Sequence, residues 1–128
     1  MQQKPFNLVS IPASRAPVAL LAVDRAVSEI RRGRTVVVHG NAGAAIVTQA
    51  AEAVTEEGLD ELARLSHSQP TLSITARRAR VLGLADTTGK IVTLSTDAGL
   101  TAKMVGAIAD PLVNYDVSYF NAESKETP

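Results

Sequence analysis

The sequence of residues 71–83 is TLSITARRARVLG. Residues 71–75 are rich in β-branched side chains, which favours a strand. Residues 76–82 follow without a turn signal and predict a short helix that Gly83 ends. A strand that runs directly into a helix is typical of folds in which helices pack on a sheet.

Similar patterns lie on both sides of this segment. The predicted elements are a helix that begins at Pro17 and is stopped by Gly33, strands at 35–39 and 44–51, a helix after Thr55, and a strand at 91–96. A last helix is predicted from the Thr101 cap through Ile108, stopped by Asp110-Pro111. Residues 40–43 are glycine-rich and predict a hairpin turn, because the residues that follow resemble a strand rather than the helix a phosphate loop requires. We expect an α/β (α+β) fold, a mixed sheet with packed helices.

The chain divides into three parts. Residues 1–16 contain Pro5 and Pro12 and are interpreted as an N-terminal arm. Residues 17–111 form the expected α/β domain, since 128 residues suit one domain. Residues 112–128 lose hydrophobic periodicity and are expected to be a loose, polar C-terminal tail.

Composition restricts the function classes. Thirteen basic residues balance thirteen acidic ones, so no long-range field attracts nucleic acid or an anionic membrane, and neither partner is expected. The chain has no cysteine, which excludes disulfides and thiolate metal sites and fits a reducing cytosol. No secretory signal or membrane-length apolar run is present. We expect a cytoplasmic protein.

The candidate binding site lies at residues 75–80. Thr75, Arg77 and Arg78 place two guanidinium groups beside a helix start, where free amides and arginines together bind anions. The alternative is that these arginines form a solvated helix face. A second basic cluster, Arg31, Arg32 and Arg34, lies at a helix C-terminus and is interpreted as structural.

No catalytic set is found in the sequence. His39 and His67 have no His, Asp or Glu at ligand spacing, so no metal site is expected. The glutamates between residues 52 and 61 cluster on one helix or its approach, where general acid–base chemistry is not favoured. No serine lies in a nucleophile-elbow pattern. No cofactor is expected.

Residues 26–38, AVSEIRRGRTVVV, resemble the opening of 3,4-dihydroxy-2-butanone 4-phosphate synthases, enzymes of riboflavin biosynthesis. Residues 50–55, 72–84 and 93–98 continue this resemblance in order, over roughly residues 20–110. The resemblance implies the synthase fold and, because the synthases are homodimers, a homodimer.

The departures from the synthase pattern imply an inactive domain. The synthases carry an acidic loop after their first strand that supplies the magnesium ligand and the acid–base residues, and a downstream histidine ligand. Here residues 39–43 have no Asp, Glu or Arg, and the downstream histidine segment is absent. Magnesium requires oxygen ligands. The resemblance therefore implies a structural or regulatory role.

The segment at 75–84 and the Ala109-Asp110-Pro111 stop resemble the N-terminal domain of certain bacterial GTP cyclohydrolase II proteins. There a degenerate synthase-like domain precedes a cyclohydrolase domain whose zinc is held by three cysteines. This chain has no cysteine, so that catalytic domain is not in it. The resemblance implies either a fragment whose partner is a downstream cyclohydrolase domain or a standalone relative. Two alternatives stay open: a phosphate or small-ligand module using Thr75, Arg77 and Arg78, and an RNA-binding domain.

Overall fold

The computed structural model describes residues 12–40, 43–84 and 88–126. Within these ranges lie four helices and five strands. In chain order they are α1 (Pro12–Arg31), β1 (Val36–His39), β2 (Ala45–Thr48), a 3-10 turn (Ala51–Ala53), α2 (Glu56–Ser66), β3 (Leu72–Thr75), α3 (Ala76–Val81), β4 (Ile91–Ser95), α4 (Ala102–Ala109) and β5 (Asn121–Lys125).

The described strands form two separate antiparallel sheets. β1 and β2 make the predicted hairpin, with Val38 opposite Ile46. In the second sheet β4 is central, between β3 and β5. The mixed α and β content predicted from the sequence is confirmed. The prediction of a single mixed sheet is wrong, because every described strand pair is antiparallel and no strand of one sheet pairs with a strand of the other.

The core lies on one face of the three-stranded sheet. Leu72 on β3 is opposite Leu94 on β4, and the polar pair Ser73 and Thr93 occupies the other face. Helices α3 and α4 contribute the apolar side chains that cover the first face. The buried cluster consists of Leu72, Ala79, Leu82, Val92, Leu94, Val105, Ile108, Val117 and Phe120.

The C-terminal segment is part of this core. Val117 is 1% exposed and Phe120 is 8% exposed. β5 then pairs along the whole length of β4, from Ser95 opposite Asn121 to Ile91 opposite Lys125. The expectation of a loose tail over residues 112–128 is therefore wrong for the part of that segment the structure describes. Polar residues can form this strand because its pairing with β4 uses backbone hydrogen bonds, which do not require apolar side chains.

Threonine caps fix the starts of three helices. The hydroxyls of Thr55 and Thr101, both predicted caps, accept hydrogen bonds from the backbone amide three residues further on, at 3.0 and 3.1 Å. Thr75 caps α3 in the same way. Glu56 Oε2 also accepts a hydrogen bond from the amide of Ala102 at 2.8 Å, which joins the start of α2 to the start of α4.

Helix α1 begins earlier than predicted and is poorly covered. It starts at Pro12 rather than Pro17, while the rest of the expected arm, residues 1–11, lies outside the described residues. Gly33, with φ +78°, follows its end as predicted. Its apolar side chains are open to solvent: Val18, Leu20, Leu21, Val23 and Val27 are 43–64% exposed. Three of them, Leu20, Val23 and Val27, are spaced to lie on one side of the helix, and we call these three residues the apolar face of α1.

Candidate functional site

The start of α3 has the predicted helix geometry. Thr75 has extended backbone dihedrals and its Oγ1 accepts a hydrogen bond from the amide of Arg78 at 3.1 Å. Arg77 is exposed, and Arg78 is half-buried. The three candidate residues are therefore adjacent, but the two guanidinium groups have different environments.

Arg78 binds the end of α4. Its Nε donates a hydrogen bond to the carbonyl oxygen of Ile108, and its Nη2 donates to the carbonyls of Asp110 and Val113, all at 2.8 Å. The last carbonyls of a helix have no partner within the helix, and they attract a cation. Arg78 thus ties α3 to the end of α4 and to the turn after it.

This arrangement changes how the anion site is interpreted. A bound anion would compete for Nε and Nη2 of Arg78 with three backbone carbonyls. Arg77 is the candidate arginine that stays exposed. The anion site remains a prediction that depends mainly on Arg77. Sequence analysis missed the structural role of Arg78; the signal was the Asp110-Pro111 stop, which leaves helix carbonyls in need of a donor.

Two arginines of the second basic cluster pair with Glu29. Arg32 Nη1 and Arg34 Nη1 lie 3.2 and 3.1 Å from the two carboxylate oxygens of Glu29. These contacts agree with the structural interpretation. The pairs are largely exposed, so their contribution to stability is about 0–1 kcal/mol each.

The hairpin turn and the histidines lie where the sequence placed them. The amide of Gly40 donates a hydrogen bond to the carbonyl of Ala44 at 2.8 Å, which closes the turn; residues 41–42 lie outside the described residues. His39 ends β1, and His67 follows α2 with φ 56°. Across residues 12–40, 43–84 and 88–126, no group of three or more His, Asp or Glu side chains is placed to hold a metal ion.

A cleft that the sequence did not predict lies between the two sheets. Its volume is about 410 Å³, within the range of ligand pockets. Consecutive residues of two segments line it, 45–49 along β2 and 69–73 leading into β3. Leu59 and Leu62 of α2 form part of its apolar wall. Hydrophobic periodicity predicts the strands but not the gap between them.

Perturbed titratable groups lie away from this cleft, on the turn before β5. Two hydrogen bonds from Ser118, one from its hydroxyl and one from its amide, hold the pKa of the Asp116 carboxyl below its ordinary value. A hydrogen bond with Tyr115, 3.1 Å between the hydroxyl oxygens, raises the pKa of Tyr119. Both groups lie on the surface, so these shifts do not by themselves mark a reactive site.

Comparison with known proteins gives one informative similarity. GTP cyclohydrolase-2 from Azospirillum brasilense is 38% identical to this chain over 96 residues, which cover 73% of this chain and 24% of that protein. The chain thus spans about a quarter of the length of this curated relative. No protein-family model and no solved structure matches the chain. The predicted resemblance to a GTP cyclohydrolase II protein is confirmed as a sequence similarity, whereas a degenerate synthase domain remains a prediction.

In the part of the chain that the structure describes, no helix combines the length and the apolar character needed to cross a bilayer.

Proposed function

We propose that this chain is a catalytically inactive, synthase-like N-terminal domain of a GTP cyclohydrolase II-type protein of riboflavin biosynthesis, with a structural or regulatory role in the cytoplasm. The observation that carries the proposal is the 38% identity to a GTP cyclohydrolase-2 over only 24% of its length. A second support is the short turn after β1. The segment where the synthases carry their acidic loop closes here through one hydrogen bond between Gly40 and Ala44.

Inactivity as a synthase is tested directly. With ribulose 5-phosphate and magnesium, we expect no product above the protein-free blank, because residues 39–43 offer no carboxylate to bind the metal or move a proton. An active synthase assayed in parallel is the positive control. Turnover that scales with the concentration of this chain would show that the domain is an enzyme.

Ligand binding is tested by thermal shift with GTP, ribulose 5-phosphate and inorganic phosphate. We expect no rise in Tm with any of them, because the cleft has no cationic side chain for a phosphate and Arg78 is bonded to carbonyls. A rise with phosphate that disappears in Arg77→Ala would instead support the anion-site alternative. A rise that Arg77→Ala leaves unchanged would place the ligand elsewhere.

The structural role that we propose is assembly through the apolar face of α1. In proteins most of a helix's stability comes from packing of its apolar side chains, so exposed Val and Leu side chains on α1 indicate a covering partner. Val38 and Ile46, which lie opposite each other on one face of the hairpin, are also about half exposed and add to the uncovered apolar surface. A standard interface buries about 800 Å² per partner. A second copy of the chain can supply an equivalent face.

The assembly is tested by light scattering after size exclusion. The wild-type chain should have twice the 13.4 kDa mass of one copy, and the double variant Leu20→Glu, Val23→Glu should be monomeric, because two charges enter the apolar face. Arg25→Glu, on the opposite side of the helix, is the matched control and should stay dimeric. A monomeric wild-type chain, or a double variant that stays dimeric, would contradict this interface.

The downstream partner is tested in the relative itself. We expect that deleting the matching 24% from the Azospirillum brasilense protein leaves GTP turnover measurable but alters the oligomeric mass of the protein. The reason is that this segment is proposed to support assembly and not to take part in the reaction. Complete loss of turnover in a deletion variant that remains folded would assign the segment a part in catalysis.

A further inference from the structure

The cleft between β2 and β3 is bounded by two unpaired strand edges. Among the described strands, β2 pairs only with β1 and β3 pairs only with β4. The consecutive residues 45–49 and 69–73 both line the cleft, so the free edges of the two sheets border the same space. Unpaired edges present rows of backbone donors and acceptors that readily pair with another strand.

The lining of the cleft defines the chemistry of its occupant. None of the eighteen residues that line it carries a charge. Ser66, Ser68 and Thr71 contribute hydroxyls, and Leu59, Leu62 and Val105 contribute apolar surface. A phosphate or carboxylate would lose its hydration there without gaining a charged partner. An uncharged occupant with both apolar groups and backbone-like polar groups fits.

We propose that this cleft binds an extended, uncharged peptide segment from a partner polypeptide, which adds a strand between β2 and β3. One inserted strand would separate its two neighbours by about 10 Å and would join the two sheets into one of six strands. β2 and β3 are each four residues long, so the paired stretch is a short one. Apolar side chains at alternate positions of the peptide would face α2.

The geometry requires only that the partner strand has free amides on both edges and no charged residue in its central stretch. Strand addition of this kind takes its affinity from main-chain hydrogen bonds and its specificity from alternate side chains.

The test uses a labelled peptide with the sequence of residues 90–96, KIVTLST, as the probe. It alternates apolar and uncharged polar residues, and its one lysine is terminal. Fluorescence anisotropy with the full chain should show saturable binding. A peptide N-methylated at alternate residues should bind at least about tenfold more weakly, because it cannot donate those main-chain hydrogen bonds. Equal binding of the two peptides, or no saturable binding, would overturn the proposal.

Two matched threonine variants locate the binding. Thr71 lines the cleft and Thr35 does not, and both are exposed and outside regular structure. Thr71→Lys should weaken peptide binding by about tenfold because it brings a charge into an uncharged cleft, while Thr35→Lys should leave it unchanged within about twofold. Equal effects of the two variants would show that the peptide binds elsewhere.

Disulfide trapping separates the peptide from a second copy of the chain as the occupant. The sequence has no cysteine, so Ser73→Cys introduces a single thiol beside the cleft. It should form a mixed disulfide with a cysteine-bearing version of the probe far faster than Thr35→Cys does. Rapid formation of disulfide-linked chain dimers by Ser73→Cys without peptide would assign the cleft to a second copy and overturn the proposal.

Discussion

Removing residues 112–128 is expected to unfold the three-stranded sheet. The truncation takes away Val117 and Phe120, whose burial contributes about 1.5–3 kcal/mol each. It also removes β5, the whole second neighbour of the central strand β4. The summed loss approaches the 5–15 kcal/mol of net stability typical of a domain. The truncated chain should lose its cooperative thermal transition and its dispersed amide NMR spectrum.

The control for this truncation is a chain that ends at residue 125, which keeps all of β5 and should melt like the full chain. Phe120→Ala tests the same core contact without removing a strand and should cost about 3–5 kcal/mol in urea unfolding. A chain ending at residue 111 that still melts cooperatively, within a few degrees of the full chain, would show that residues 112–128 do not stabilise the core.

Local signals predicted most of the elements. β-branched runs marked the strands, and threonines followed by apolar periodicity marked the starts of α2 and α4, because capping is a local interaction. The sequence pattern failed at β5. Asn121–Lys125 has no apolar alternation, and its backbone pairs with a β4 that already supplies the apolar face. Only tertiary structure identifies a polar edge strand of this kind.

The partners of strands are not encoded in their periodicity. The alternation in β4 predicts one buried face, which Val92 and Leu94 confirm. Nothing in the alternation determines that β2 and β3 leave a gap rather than pair. Prediction of the candidate site met the same limit. Arg77 and Arg78 are equivalent in the sequence, and only the fold shows that α4 ends beside Arg78.

The apolar face of α1 and the free strand edges at the cleft both indicate contacts with other chains or segments. The apolar face of α1 and the free edge of β2 lie in the part of the molecule that contains the hairpin, and the free edge of β3 borders the well packed part built on β4. A domain in which one part is well packed and another part is uncovered is suited to assembly. This asymmetry is the structural reason for placing the proposed role in contacts with other chains or segments.

Substituting Arg78 is expected to destabilise the domain far more than substituting its neighbours. Hydrogen bonds from charged groups contribute about 1.5–3 kcal/mol each, and Arg78 donates three to carbonyls of Ile108, Asp110 and Val113. Because the site is partly open to water, we expect Arg78→Ala to lower the free energy of unfolding by about 3 kcal/mol in total. Urea denaturation followed by circular dichroism measures this directly.

Three companion variants separate the geometry of Arg78 from its charge. Arg77→Ala and Arg80→Ala remove the same charge from exposed positions of the same helix and should change stability by less than about 0.5 kcal/mol. Arg78→Lys keeps the charge but loses the planar guanidinium group that reaches several carbonyls at once. It should therefore lower the free energy of unfolding by an intermediate amount. If Arg78→Ala proves no more harmful than Arg77→Ala, the contact with the end of α4 does not stabilise the fold, and Arg78 is again free to serve as an anion ligand.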